Sequence, residues 1–371
     1  MRRIALIPAI ALIASIGITA LAGESILGLQ GRVRHVRAVD TAHGGHIHHA
    51  VKVPGGRPCR HRPRGMIRGT MDMNELPKLI VVAGTNASGK SGLGVSLAEK
   101  YGGEVVSADS RQVFRGLDLG SGKISPEETR GVPHHLIDVC APGDFFSMHD
   151  FQRLAYRAID DIIARGRLPF MVGGTGLYVA SVTEGYVMSD SAPDLQYRDY
   201  LETFSTPALY EMLVSAVPDI EIERNNRNRV MRVLEKLHAG DDHIPHNRPR
   251  YRCLKLGVTW DRETLRARID ERLERRLRQG MVDEVRDLLA SGVSVEFMLK
   301  LGLEYRFITQ YLTGDIPVYE DMVEQLGNAI KKFAKRQMTW FRRDKDILWL
   351  DMDGDPFAQA SAAIDAFLAE K

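Results

Sequence analysis

The chain has 371 residues, 44% of them apolar and 26% charged, proportions that exclude a disordered tail protein, a collagen-like fibre and a multi-span membrane protein. Its net charge of +2 is unevenly spread, with +9 on residues 1–70 and −7 on the remainder. Three widely spaced cysteines, Cys59, Cys140 and Cys253, exclude a disulfide framework and a cysteine zinc cluster and point to a reducing compartment.

Ile4–Ala22 is an uncharged, mostly apolar run behind Arg2 and Arg3 that ends in Ala20-Leu21-Ala22. It fits a secretory signal with a small-residue cleavage site, and it is also long enough to span a bilayer. Gly23–Thr70 has no sustained apolar period and holds six of the twelve histidines, without cysteine or acidic ligands at regular spacing, so a low-complexity segment is preferred to a metal-binding tract. Periodic sequence begins just after Met73. The preferred reading is that translation starts at Met71 or Met73.

Lys78–Ala83 is a short β-branched run of the kind buried on both faces of a parallel sheet. The turn that follows, Gly84-Thr85-Asn86-Ala87-Ser88-Gly89-Lys90-Ser91, satisfies G-x-x-x-x-G-K-[ST] and leads into a helical pattern at Leu93, Leu97 and Ala98. Its glycines let backbone N–H groups curl around an anion, the helix N-terminus adds a positive dipole end, Lys90 supplies a cation, and Ser91 can ligate Mg²⁺. A second strand, Glu104–Ala108, delivers Asp109-Ser110-Arg111-Gln112 to the carboxyl edge of the sheet, where ligands bind in open α/β folds. Asp109 there suits a Mg²⁺ ligand, a general base or a helix N-cap. His134-His135 occupy adjacent positions in a strand-like run and so face opposite ways, which favours packing or hydrogen bonding over metal ligation.

A helix over Met148–Arg165 and a buried strand over Leu168–Val172 follow, ending in Gly173-Gly174-Thr175-Gly176-Leu177-Tyr178. Thr175 therefore joins Asp109 at the ligand edge. No Walker B element stands out, so ATP hydrolysis is not compelled. Asp190 to about Glu223 reads as a small helical lobe. Basic clusters come next: Arg224, Arg227, Arg229 and Arg232; then Arg248, Arg250, Arg252 and Lys255; then Lys331-Lys332, Lys335-Arg336 and Arg342-Arg343 interleaved with Phe333, Trp340 and Phe341. Basic groups among aromatics suit a nucleic-acid strand with splayed bases. The alternative is a solvated face paired with Glu320, Asp321 and Glu324. Leu265–Leu289 reads as a core-facing amphipathic helix broken near Gly280, with no function assigned to its charges.

Taken together and in order, GTNASGKS, SADSRQVFRGLDLGSGK, GVPHHLID, VGGTGLY, RNRVMRVLE, RQGMVDEVRDLL and AKRQMTWFRR resemble the tRNA dimethylallyltransferase (tRNA isopentenyltransferase) family. The resemblance implies an α/β fold, a P-loop-type parallel sheet flanked by helices, with a small helical insertion and a helical C-terminal part. It implies that residues Gly84–Ser91 cradle the pyrophosphate of dimethylallyl diphosphate, with Mg²⁺ on Ser91 and help from Arg229. The acceptor would be the exocyclic amine of the adenine 3′ of the anticodon, with Asp109 as general base and Thr175 assisting. tRNA contacts would come from Asp109, Ser110, Arg111 and Gln112, from Asn228, Arg229, Val230, Met231 and Arg232, and from Lys335, Arg336 and Trp340. Leu301–Arg306 departs from the family's glycine-tyrosine-arginine run. The expected organisation is a leader over 1–75, the first part of the core over 76–188, the insertion over 189–223, the rest of the core with tRNA-binding helices over 224–351, and a tail over 352–371. A cytoplasmic monomer without stable membrane association is expected. The competing readings are an adenylate isopentenyltransferase acting on a free nucleotide, which would not need the basic helix, and a P-loop small-molecule kinase.

Overall fold

The computed structural model describes residues 75–188, 194–218, 220, 222–240 and 247–370. The expected leader, the signal-like run, the histidine tract and the internal start lie outside the described residues. Among the described residues no helix is long and apolar enough to cross a membrane.

In chain order the elements are β1 (Lys78–Gly84), α1 (Lys90–Lys100), β2 (Glu104–Ser107), β3 (His134–His135), α2 (Met148–Ala164), β4 (Pro169–Gly173), α3 (Gly176–Thr183), α4 (Leu195–Glu202), α5 (Thr206–Ala216), α6 (Arg227–His238), β5 (Arg252–Thr259), α7 (Arg262–Arg278), α8 (Met281–Ala290), α9 (Val295–Leu301), α10 (Leu303–Leu312), α11 (Tyr319–Phe341), β6 (Ile347–Asp351) and α12 (Pro356–Ala369). The six strands form one parallel sheet in the order β3-β2-β4-β1-β5-β6. Strand alternation sorts β1 between two layers. Leu79, Val81 and Ala83 pack with Phe151, Ala155, Ile159 and Ile162 of α2 and with Tyr178 of α3. Ile80 and Val82 pack on the other face with Leu93 and Leu97 of α1 and with Ile364 and Phe367 of α12. The expected parallel sheet flanked by helices is therefore present.

α2 starts where Ser147 and Asp150 form a capping box, each side chain satisfying the other's backbone N–H. Glu104 at the start of β2 is buried between Arg165, Arg167 at 3.4 Å and His135 at 2.7 Å. The Arg165 guanidinium beside it holds its carboxyl down at about 2, against the opposing effect of burial. His134 bonds the Val132 carbonyl at 2.8 Å. The histidine pair thus hydrogen-bonds within the edge of the sheet, as expected.

Three features differ from the sequence expectation. The helical lobe runs on to His238, because Val230, Met231, Val233 and Leu234 of α6 close a core with Leu201 of α4 and Leu209 and Leu213 of α5. Residues 352–371 are not a tail: α12 covers one face of the sheet. The basic run 248–255 feeds β5 and is largely neutralised, Arg250 by Asp160 at 2.9 Å, Lys255 by Asp344 at 2.6 Å and Arg252 by Glu370.

Candidate active site

The β1–α1 turn is held open as a cradle. Gly89 caps α1 at φ 88°, and Ala87 also takes a positive φ of 59°, so successive N–H groups turn toward one side. Ser88 Oγ donates to the Thr85 carbonyl at 2.8 Å, and Lys90 Nζ donates to the same oxygen at 3.2 Å. The Thr85 and Ser88 side chains are buried in the loop's own support, so of the expected diphosphate ligands these two offer backbone only. α7 and the residues just before it brace the loop from outside. Trp260 Nε1 donates to the Ser88 carbonyl at 2.9 Å, Arg268 Nε donates to the Ala87 carbonyl at 3.1 Å, and the Arg268 guanidinium lies 4.5 Å from the Trp260 ring centre.

The ends of β2 and β4 meet beside this cradle. The Ser110 N–H donates to Thr175 Oγ1 at 3.0 Å, and the Thr175 hydroxyl lies 3.3 Å from Ser110 Oγ. Asp109 Oδ1 accepts from the Arg111 N–H at 2.9 Å, an Asx turn that fixes the carboxylate's orientation. Asn86, Ala87, Lys90, Ser91, Asp109, Ser110, Arg111, Gln112 and Thr175 line one narrow cleft of about 60 Å³. The expected cradle and the expected base are thus brought together.

The cleft's other wall comes from residues to which the sequence reading gave no function. Arg272 and Arg276 project from α7, and their guanidiniums occupy the space a Cβ on Gly122 would take, at 2.3 Å and 1.5 Å; the backbone there, at φ 64°, also favours glycine. Burial lowers Arg272 to about 10 and lowers Arg276 as well. Burial brings Lys90 down to about 8, with Asp109 pulling it back up and Arg272 and Arg276 pushing it further down. Three desolvated cations around one recess repel one another until a polyanion arrives. Arg268, Arg272 and Arg276 recur every fourth residue, which is the signal that could have found them.

The departure at Leu301–Arg306 also has a structural role. Glu304 is buried, 3.0 Å from Arg111 and 3.7 Å from Arg276, and it orients one cation on each side of the cleft. Tyr305 is fully buried, and its hydroxyl donates to Glu284 Oε1 at 3.0 Å. Glu284 in turn accepts the backbone N–H groups of Asp118, Leu119 and Gly120.

α11 closes the cleft. Gln337, buried, accepts the Asn86 N–H on Oε1 at 2.9 Å and donates Nε2 to the Gly174 carbonyl at 2.8 Å. One amide thereby sets the distance between the cradle and the Thr175 loop. Gln337→Met keeps bulk but loses both bonds, each worth about 1 kcal/mol. Turnover is expected to fall about tenfold through loss of alignment, with substrate affinity unchanged, as measured by steady-state kinetics and by direct binding.

The remaining expected residues divide. Arg336 lies 5.4 Å and Arg111 5.7 Å from the Phe333 ring centre, at the mouth of the cleft. Lys335, by contrast, lines a separate groove on another side of α11. Trp340 sits against Gly176, with Arg343 5.9 Å from its ring. Val230 and Met231 are buried in the lobe and present no surface to a nucleic acid, a correction forced by the helical period of α6. Arg232 is 3.0 Å from Glu235. Asn228 and Arg229 are exposed on the lobe, and neither lines the cleft; the guanidiniums that do are those of Arg111 and of Arg272 and Arg276 on α7.

The sequence model of the IPP transferase family matches residues 112–344. tRNA dimethylallyltransferase 1 of Geotalea uraniireducens is 43% identical over 288 residues, covering 76% of this chain and 95% of that protein. The tRNA dimethylallyltransferase of Geobacillus thermodenitrificans is 38% identical over 307 residues, covering 79% and 97%. Among solved structures, the tRNA isopentenylpyrophosphate transferase of Bacillus halodurans is 37% identical with a TM-score of 0.60, covering 79% of this chain and 95% of that one. A eukaryotic dimethylallyltransferase acting on tRNA is 26% identical with a TM-score of 0.65, covering 80% of each.

Proposed function

The chain belongs to the IPP transferase family, and from that premise we propose that it is a tRNA dimethylallyltransferase whose cleft takes an allylic diphosphate against the cradle and an extruded adenine against Asp109. The protein is a tRNA-prenylating enzyme. The donor is dimethylallyl diphosphate, and the acceptor is the exocyclic amine of the adenine 3′ of the anticodon. The observation that carries this reading is the juxtaposition of the Asp109 carboxylate with Lys90, Arg272 and the cradle in one recess.

An adenine amine is a poor nucleophile because its lone pair is delocalised into the ring. As its nitrogen bonds to the allylic carbon, the carbon–oxygen bond to diphosphate breaks and a proton on nitrogen must leave. Asp109, oriented through Oδ1 by the Arg111 N–H, accepts that proton on Oδ2, a contribution on the order of 10²–10⁴ in rate. The departing diphosphate gains charge as the bond breaks. Lys90, Arg272 and Arg276, already desolvated, stabilise that charge without needing to reorganise. Thr175, tied to Ser110, keeps the base loop in register. A second recess beyond the cradle, formed by Ser88–Gly92 with Arg268, Arg272 and Arg275, shares Lys90, Ser91 and Arg272 with the first.

No group of three or more histidine, cysteine, aspartate or glutamate side chains that could hold a metal occurs among the described residues. Ser91 is exposed at the cradle beside Asp109, a hard-oxygen setting that suits Mg²⁺ held mainly by substrate phosphates and water. The ion would neutralise diphosphate charge there. We read the chain as a monomer, and as cytoplasmic because both substrates are those of a cytoplasmic enzyme.

Incubation with unmodified bulk tRNA and labelled dimethylallyl diphosphate, followed by nucleoside analysis, should yield prenylated adenosine at the position 3′ of the anticodon. Equal transfer to free adenosine monophosphate, or phosphate transfer from ATP, would replace this reading with one of its competitors.

A further inference from the structure

Behind α11 lies a groove of about 490 Å³ between this helix and the first turns of α7. Six cations line it: Arg262, Arg266, Lys331, Lys332, Lys335 and Arg342. Lys331 is paired with Asp270 at 2.6 Å. The other five have no carboxylate partner among the described residues. Glu320, Asp321 and Glu324, the acids of the first turns of α11, make no ion pair with them, so this face is not the self-neutralised helix surface that its sequence allows. The floor is apolar, with Leu265, Ile269, Ala334 and Met338, and the Trp260 ring stands at one end. A cationic rim over an apolar floor is the construction that holds a sugar-phosphate strand.

We infer that this groove seats the RNA backbone flanking the nucleotide that reacts, as a second contact separate from the cleft. The inference rests on tRNA being the acceptor. α11 runs between the two recesses, with Ile269 of α7 lining both: Ile330, Phe333 and Gln337 face the cleft, whereas Lys331, Lys335, Met338 and Arg342 face the groove. A helix is about 10 Å across, so an RNA with one base in the cleft carries its adjoining strand over α11 and onto the cations. Arg336 and Phe333 at the mouth of the cleft mark the crossing. The five unpaired charges sit on a chain whose residues beyond 70 total −7, which makes the groove a local attractor for polyanions.

The test uses the full chain carrying Arg262→Glu and Arg266→Glu together. Both positions are exposed, and neither lines the reaction cleft. An equal charge change on α2, Arg153→Glu with Arg157→Glu, serves as control. Binding of unmodified tRNA is measured as a function of salt, and binding of dimethylallyl diphosphate is measured alongside it. Loss of two phosphate contacts should make the slope of log K against log salt shallower by about 1.5 and weaken tRNA binding at least about tenfold at low salt. Diphosphate binding should not move, and the control pair should leave the salt slope near that of the wild type. Wild-type affinity and slope in the α7 pair, or an identical loss in the control pair, overturns the groove. Failure of the unaltered enzyme to prenylate tRNA would instead remove the functional reading on which the groove depends.

Discussion

Asp109→Asn is expected to lower prenyl transfer at saturating substrates at least about 10²-fold while leaving affinity for tRNA and for dimethylallyl diphosphate within about threefold of wild type. An asparagine Oδ1 still accepts from the Arg111 N–H, so the turn at the end of β2 keeps its shape. What disappears is the basic oxygen on the other arm, replaced by an amide nitrogen that cannot take a proton. The loss therefore appears in kcat and not in KM, the signature of an interaction made only as the bond forms. Single-turnover measurement with bound tRNA checks it. Turnover near wild type would remove Asp109 from the base role and leave it as the anchor of a turn.

Arg272→Met is expected to cost about 10²–10³ in kcat/KM for the diphosphate donor, the scale found when one preorganised charge stabiliser is removed. Arg276→Met should cost less, because Glu304 already offsets part of that charge at 3.7 Å. The pH profile supplies an independent readout. With Lys90 at about 8 in the free enzyme, kcat/KM should fall as pH rises through that region and the ammonium loses its proton. Arg272 is one of the charges holding Lys90 down, so in Arg272→Met the descending limb should move to higher pH. A limb that stays in place would show that Lys90 is not the group being titrated.

The sequence revealed the site where it is local and concealed it where it is assembled. Lys78–Ser91 and Glu104–Gln112 each carry strand, turn and chemistry in one continuous stretch, and the structure places them as their patterns predict. Thr175 was legible for the same reason. Arg272 and Arg276 were not, because an arginine on a polar helix reads the same whether it faces water or a glycine 150 residues earlier; the approach to Gly122 distinguishes them. Gln337 is a lone amide in a basic-aromatic run, and its two partners are set by tertiary packing. In α6 the motif RNRVM looked like a continuous contact surface, but a period of 3.6 turns Val230 and Met231 inward while leaving Asn228 and Arg229 outside. β5 escaped because Arg252 and Lys255 interrupt its apolar pattern with charges neutralised by Glu370 and Asp344.

The grip of Glu284 on Asp118, Leu119 and Gly120 also bears on how the enzyme comes into being. The carboxylate lies 164 to 166 residues downstream of the amides it holds, and Arg272, Arg276, Glu304 and Gln337 likewise arrive from the last hundred residues of the chain. Contacts of such long range form late, because the intervening chain must be ordered before they add stability. During synthesis the cradle emerges first, with Lys90 but without Arg272, Arg276 or the amide that sets its width. A nascent chain at that stage has a phosphate loop with one cation of the three that stabilise the leaving group, so full competence for prenyl transfer appears only when the C-terminal helices have docked.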